Sequence, residues 1–255
     1  TTVGGLFGRL VVSAITDFVS WRMGLIVIGI LYLAVGIAFF MLLPKPKYQR
    51  QRQSGGLQLI KTFHTALANK KLLWIYLVAF LIMGSFVAVF NFISYVLLAP
   101  PYSLSQTVVG LLFVVYLFGT FSSTYMGRLS DQHGNGRVLI LGLLIMLTGG
   151  LLTLLQPLVF KFIGLAIFTF GMLGSHSVAC GWVGKLNQGD KAQSSSMYMF
   201  FYYAGASSLG TLGGVFLESY GWSGVIGMVA AAVIICLLVV VRLELAVSQH
   251  LLWHH

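Results

Sequence analysis

Among the polar side chains that lie inside long apolar runs of this sequence, four are the first candidates for chemistry: Arg9, Asn91, His176 and Tyr202. Polar groups are costly in hydrocarbon, so each is a candidate for binding a solute or carrying a coupling ion. His176 can titrate near neutral pH. Each residue also has a packing alternative, which for Arg9 is a structural ion pair and for His176 a satisfied packing group.

Two pairs of hydrogen-bonding residues lie one helical turn apart, so each pair would share a helix face. They are Asn91 with Tyr95 and Tyr198 with Tyr202. Either pair could hydrogen-bond a ligand with an aromatic body. Tyrosine also anchors helices at the membrane surface, and we expect Tyr198 to do so. Asn91 and Tyr202 are therefore the better cavity candidates.

Enzymatic chemistry has little support in the sequence. Asp and Glu together number five, and no Ser-His-Asp, HExxH or phosphate-loop spacing is visible. Both cysteines, Cys180 and Cys236, lie in apolar runs, which predicts neither a disulfide framework nor a metal site. We expect no catalytic residues, no metal and no cofactor.

The elements that position these residues are predicted to be membrane-spanning helices. The 255 residues are 58% hydrophobic and 8% charged, with a mean hydropathy of +0.94, whereas a soluble domain carries about 25% charged residues. Runs of about 20 apolar residues span a bilayer as helices. One such run, 1–19, contains Arg9 and Asp17, and seven are uncharged: 23–43, 72–99, 108–127, 138–156, 162–184, 197–217 and 222–241. The predicted fold is an all-α membrane protein with eight transmembrane helices.

Basic residues fall almost entirely on one side of these predicted helices. The other side holds only Arg22 and Lys161. Cytoplasmic loops carry the excess of basic residues, so the net charge of +10 is read as a topology signal and no nucleic-acid partner is expected. Both ends of the chain are predicted to be cytoplasmic. The basic residues of the predicted cytoplasmic side are Lys45, Lys47, Arg50, Arg52, Lys61, Lys70, Lys71, Arg128, Arg137, Lys185, Lys191 and Arg242.

A weak internal repeat relates the first predicted helix to the seventh. A shift of 201 residues places Asp17 on Glu218 and Trp21 on Trp222, with six helices between the two copies, and repeats of six helices build one class of transporters. The eight helices would then be helices 5–12 of 12, with four N-terminal helices of the same protein missing. In the seventh helix Ala206, Gly210 and Gly214 form a small-residue stripe, which predicts close helix packing.

The loop that follows the fourth predicted helix has a recognisable pattern. It contains Gly127, Asp131, Gly134 and Arg137, where the glycines permit close packing and a tight reversal. Asp131 could cap a helix or pair with Arg128 or Arg137. The loop resembles the G-x-L-x-D-x-x-G-r-[kr] motif of the major facilitator superfamily. Asn135 and Gly136 replace part of the motif's basic pair, and Gln132 departs from the basic residue that usually follows the aspartate.

Further segments are similar to bacterial YnfM-type transporters, which are often labelled arabinose-efflux-permease-like or multidrug efflux proteins. The resemblance covers essentially the whole chain. It implies a bacterial inner-membrane protein that works by alternating access, with proton-coupled efflux of a small solute through the bilayer. The segments that carry it are 8–22, 90–91, 100–106, 176–179 and 201–205.

The expected organisation has four parts: the last two helices of an N-terminal bundle in 1–43, a cytoplasmic linker with an amphipathic helix in 44–71, a six-helix bundle in 72–243, and a cytoplasmic tail in 244–255. The expected function is secondary active transport of a small solute, with H⁺ as the coupling ion. The alternative is a transporter-shaped receptor or assembly module without turnover, which the scarcity of titratable groups in the helices favours.

Overall fold

The computed structural model describes residues 21–42, 69–186 and 191–252, and within these ranges the regular structure is entirely helical. The first predicted helix with Arg9, and residues 44–68 of the predicted linker, lie outside the described residues. The helices are α1 Trp21–Leu42, α2 Lys70–Leu98, α3 Gln106–Leu111, a 3₁₀ turn at Leu112–Val115, α4 Tyr116–His133, α5 Asn135–Leu152, α6 Leu158–Leu186 and α7 Lys191–Leu252.

Six helical stretches in the described ranges are long and apolar enough to cross a membrane, with α3, the 3₁₀ turn and α4 counted as one. The last stretch, α7, is 62 residues long, and a straight helix of that length would extend about 93 Å. Gly221 divides α7, because its backbone angles of φ 65° and ψ −157° are not helical. The segments before and after Gly221, here α7a and α7b, are each long enough to span a bilayer. The all-helical membrane architecture is confirmed, and the total of eight helices stays a prediction.

Side-chain and backbone caps determine where several helices begin and end. The Asn69 side chain accepts hydrogen bonds from the backbone N–H groups of Lys71 and Leu72 at 3.1 and 3.4 Å, so α2 begins just before the predicted residue 72. Gly134 separates α4 from α5 with φ 91°, a conformation that favours glycine. At the other end of the chain α7 remains helical to Leu252, beyond the predicted end of the bundle at 243.

The core of the bundle is formed mainly by α2 and by the helices that surround it. About two thirds of the most apolar part of α2 is buried, compared with 6% for α1. Much of the outer surface of the bundle is apolar, as expected for a protein in lipid. The largest fully buried side chains of α2 are Tyr76, Phe90, Leu72, Ile75, Ile82, Ile93 and Leu97.

The antiparallel pair of α5 and α6 packs through four glycines that the sequence analysis did not single out. Gly142 and Gly149 lie on α5 and Gly164 and Gly171 on α6, seven residues apart in each helix. A Cβ atom on Gly171 would lie 2.6 Å from the Gly142 carbonyl oxygen, and one on Gly164 would lie 2.8 Å from the Gly149 carbonyl oxygen. Backbone therefore packs directly on backbone, as at small-residue contacts between membrane helices.

The predicted stripe of α7a faces α2, but its closest contact is one residue earlier in the chain. A Cβ atom on Gly205 would collide with the backbone of Phe80. Gly210 would meet Val87 at 2.6 Å and Gly214 would meet the Phe92 ring at 3.2 Å, which are side-chain contacts. Ala206 is only half-buried. The tightest packing of α7a thus lies at Gly205 and not at Ala206.

Candidate functional site

A cavity of about 660 Å³ lies among α2, α4, α6 and α7a. Five aromatic side chains supply much of its wall: Phe86, Phe90, Tyr116, Tyr202 and Tyr203. Many of the other lining residues are small or contain sulfur. Outside the five aromatic residues, the polar side chains of the wall are Ser123, His176 and Ser177. A cavity of this size suits a drug-sized molecule.

His176 and Tyr202, both candidates from the sequence, line this cavity together. Their ring centroids are 4.5 Å apart. The His176 Nδ1 atom is 2.9 Å from the Tyr198 hydroxyl, and that hydroxyl is also 3.5 Å from the His176 backbone carbonyl. Tyr198 is completely buried, so the expectation that it anchors the helix at the membrane surface is wrong. The reason is that α7a turns this tyrosine inward, where His176 satisfies its hydroxyl.

The other two candidates are not part of the cavity wall that the structure describes. Asn91 is exposed on α2, and Tyr95, one turn later, is 65% exposed. Arg9 lies outside the described residues.

No cluster of three or more His, Cys, Asp or Glu side chains that could hold a metal ion is found within the described ranges.

Serine hydroxyls link α4 to α6 beside the cavity. Ser177 donates a hydrogen bond to the Ser123 carbonyl at 3.0 Å, and Ser122 donates one to the Phe170 carbonyl. Ser123 itself donates to the Thr120 carbonyl at 2.9 Å. Hydroxyl protons that are used in this way are not free for a ligand, so the cavity has fewer hydrogen-bond donors than its composition suggests.

At one end of the bundle, the loop motif forms an ion pair that the sequence did not reveal. The Lys185 ammonium lies 3.1 Å from the Asp131 carboxylate and donates a second hydrogen bond, also 3.1 Å long, to the Asn135 side-chain oxygen. The partner of Asp131 is therefore Lys185 on α6, not Arg128 or Arg137, because the end of α6 lies across from the end of α4. Gly127 packs close to α6, because a Cβ atom added to it would lie 3.6 Å from the Ser177 hydroxyl oxygen.

A second pair joins the start of α5 to α7b. Arg137 Nε lies 4.0 Å from the Glu244 carboxylate, and Glu244 fills the space that a Cβ atom on Gly136 would need. Lys185 and Glu244 were both missed as functional candidates. Two features of the sequence could have indicated them. Lys185 is a basic residue in the last turn of its helix, and Glu244 is an acidic residue on the same predicted side of the membrane as the basic loops.

At the opposite end, Lys161 is nearly completely buried, although the sequence placed it in an exposed loop. Its ammonium donates to the Thr153 carbonyl at 2.5 Å and lies 5.9 Å from the centre of the Tyr102 ring. The Trp222 indole N–H reaches the same carbonyl at 3.1 Å. This contact joins the end of α5 to the starts of α6 and α7b.

Membrane-length helices arranged around a solute-sized cavity define an α-helical, multi-pass membrane protein. Residues 75–250 match the model of the Major Facilitator Superfamily, and the chain belongs to this family of membrane transporters of small solutes. The resemblance noted in the loop motif is thereby confirmed.

Curated relatives support the same assignment. The MFS-type transporter YybF of Bacillus subtilis, itself uncharacterized, is 40% identical over 237 residues, which are 92% of this chain and 58% of YybF. The inner membrane transport protein YnfM of Escherichia coli is 40% identical over 243 residues, which are 95% of this chain and 58% of YnfM. An uncharacterized transporter of Buchnera aphidicola is 35% identical over 243 residues. The chain thus spans less than two thirds of the length of these relatives.

Proposed function

We propose that the protein is a secondary active transporter that exports a small solute by alternating access, in exchange for protons, across a bacterial inner membrane. The observation that carries the proposal is the cavity beside His176, which lies among four helices of the bundle. The end of the bundle with the Asp131–Lys185 pair is assigned to the cytoplasm, in keeping with its basic residues.

His176 is the coupling group in this proposal. In the neutral form the Tyr198 hydroxyl donates its proton to Nδ1, at 2.9 Å, and the N–H group is on Nε2. A second proton would enter at Nδ1. The Tyr198 hydroxyl would then accept from Nδ1 and turn its own proton toward the His176 carbonyl, at 3.5 Å. A single hydroxyl rotation therefore accommodates both protonation states without moving a helix.

The two ion pairs act as a gate in the same scheme. Exposed pairs contribute about 0–1 kcal/mol each, so Asp131–Lys185 and Arg137–Glu244 together can shift a two-state equilibrium by up to about thirtyfold. A shift of that size biases the bundle toward one state and still permits the other, as a transport cycle requires.

Counterflow in proteoliposomes tests the proposed transport. The purified full-length protein is reconstituted and loaded with a panel of unlabelled solutes, and uptake of each labelled solute is followed with and without an imposed pH gradient. Exchange that responds to the gradient supports the proposal. Solute binding without exchange would instead support the receptor alternative, which is favoured by the single titratable imidazole and the absence of carboxylates in the described cavity wall.

The variant Asp131→Asn tests the gate. We expect slower exchange with unchanged solute affinity, because the pair with Lys185 lies at the end of the bundle and Asp131 is not part of the described cavity wall. Arg128→Gln is the matched control: Arg128 is exposed near the end of α4, three residues before Asp131, and no ion pair is found for it among the described residues. Loss of affinity alone in Asp131→Asn would contradict a gating role.

A further inference from the structure

The cavity wall is unusually rich in contacts between aromatic rings. On α2 and α4, the Phe86 and Phe90 centroids are 4.7 Å apart, and the Tyr116 ring lies 5.4 Å from Phe86 and 5.1 Å from Phe90. On α6 and α7a, Tyr202 contacts the His176 ring at 4.5 Å and the Tyr203 ring at 5.4 Å. Two preformed groups of rings therefore line one cavity.

The same wall lacks charged side chains. None of the residues that line the described cavity is Asp, Glu, Lys or Arg. A fully charged solute group buried here would lose its hydration without gaining a counter-ion, which is strongly unfavourable. While His176 is neutral, the wall therefore disfavours a charged group on the solute.

Hydrogen-bonding capacity in the cavity is also limited. Ser123 and Ser177 donate their hydroxyl protons to backbone carbonyls, and Tyr198 occupies Nδ1 of His176. The groups that remain include Nε2–H of His176, in the tautomer proposed for the neutral ring, and the hydroxyls of Tyr202 and Tyr203. These few donors can bind an acceptor such as an amide or ketone oxygen, but cannot satisfy the many hydroxyl groups of a sugar.

We infer that this cavity binds the uncharged aromatic part of the solute, a planar system of one or two rings that carries a hydrogen-bond acceptor near His176. The inference rests on the proposed function insofar as the bound molecule is the transported solute. The volume of about 660 Å³ lies within the range for drug-sized ligands. Stacking against an aromatic wall is worth about two- to tenfold in affinity for each ring contact, beyond the gain from burying apolar area.

Protection of Cys180 from alkylation measures binding without requiring transport. Cys180 lines the cavity, and the other cysteine of this sequence, Cys236, is fully buried. The purified full-length protein is treated with N-ethylmaleimide in the presence of 1-naphthamide or its saturated counterpart, decahydronaphthalene-1-carboxamide, and modification of Cys180 is followed by mass spectrometry. We expect naphthamide to give half-maximal protection at a concentration about tenfold lower. Equal protection by the two amides would overturn the inference.

Charge and ring identity are tested in the same assay. The cation 1-naphthylmethylammonium should protect at least fivefold more weakly than naphthamide, and protection as strong as that of naphthamide would contradict an uncharged site.

Tyr202→Leu should reduce the preference for the aromatic amide about fivefold, whereas Tyr202→Phe should retain it. The control is Tyr125→Leu, which removes an exposed tyrosine from α4 outside the described cavity wall and should leave the preference unchanged.

The outcomes separate this inference from the proposed transport. Naphthamide protection without counterflow of any solute would support the aromatic site and remove the transport function. Counterflow of glucose without naphthamide protection would do the reverse, because the protein would transport a solute that the inferred site excludes. The comparison of the two amides on the unsubstituted protein needs no variant, so a poorly folded Tyr202→Leu does not prevent a decision.

Discussion

Adding one methyl group at Gly171 should separate α5 from α6. The new Cβ atom would collide with the Met146 backbone nitrogen and would lie 2.6 Å from the Gly142 carbonyl oxygen and 2.7 Å from the Met146 Cα atom. All three contacts are with backbone, so no side-chain rotation can relieve them. To reach an ordinary contact of 3.4 Å, the Gly142 oxygen must retreat by about 0.8 Å and the Met146 nitrogen by more, and a gap of about 0.8 Å already costs neighbouring contacts about a quarter to a half of their attraction.

The matched control is Gly227→Ala on α7b, where an added Cβ atom meets nothing within 4 Å. Alanine favours the helix over glycine by up to about 1 kcal/mol in both variants, so this gain cancels when the two are compared. The remaining difference is the cost of overpacking, about 1–3 kcal/mol. For a domain of this size each kcal/mol corresponds to about 2–4 °C in Tm.

Thermal unfolding in detergent measures the difference directly. We expect the Tm of Gly171→Ala to lie several degrees below that of Gly227→Ala, and the pair Gly149→Ala with Gly171→Ala to be lower again. If Gly171→Ala and Gly227→Ala have the same Tm, the two helices are not in backbone contact at Gly171, and the packing described for α5 and α6 is wrong.

Three further predictions concern other parts of the bundle. Lys161→Met should leave Tm unchanged or raise it, because the Thr153 carbonyl keeps the Trp222 donor and an apolar group replaces a buried charge; a fall of several degrees would contradict this. Glu244→Gln should change the free energy of unfolding by less than about 1 kcal/mol, as for an exposed ion pair, and a larger loss in denaturant titration would contradict so weak a pair. Alkylation followed by mass spectrometry should find Cys180 modified in the folded protein and Cys236 only after unfolding.

Local patterns in the sequence predicted the helices well, because each depends on residues close together in the chain. A run of apolar residues is sufficient to require a helix in hydrocarbon, and the position of Gly134 between two runs predicts the reversal between α4 and α5. Residues 72–99 and 138–156 accordingly correspond to α2 and α5 within a few residues. Candidates such as His176 and Tyr202 were also found locally, since polar residues are conspicuous in apolar runs.

Contacts between distant residues could not be predicted in the same way. Asp131 and Lys185 are 54 positions apart, and their meeting depends on how far α6 extends relative to α4. The inward direction of Tyr198 depends on the rotation of α7a about its axis, which the nearly uniform apolarity of that helix does not specify. The seven-residue spacing of Gly142 with Gly149 was visible, but its meaning required the matching spacing on the partner helix.

The non-helical backbone at Gly221 determines how many times the end of the chain crosses the membrane. The combination of φ 65° and ψ −157° is essentially restricted to glycine, whereas the space around Gly221 is open. The requirement is thus conformational and not steric. Because α7a and α7b are each long enough to span a bilayer, the reversal would let this segment cross twice, and Glu244 accordingly lies at the end of the bundle where Arg137 lies. A straight helix would cross once. Gly221 therefore determines whether the two ends of α7 lie on the same side of the membrane or on opposite sides.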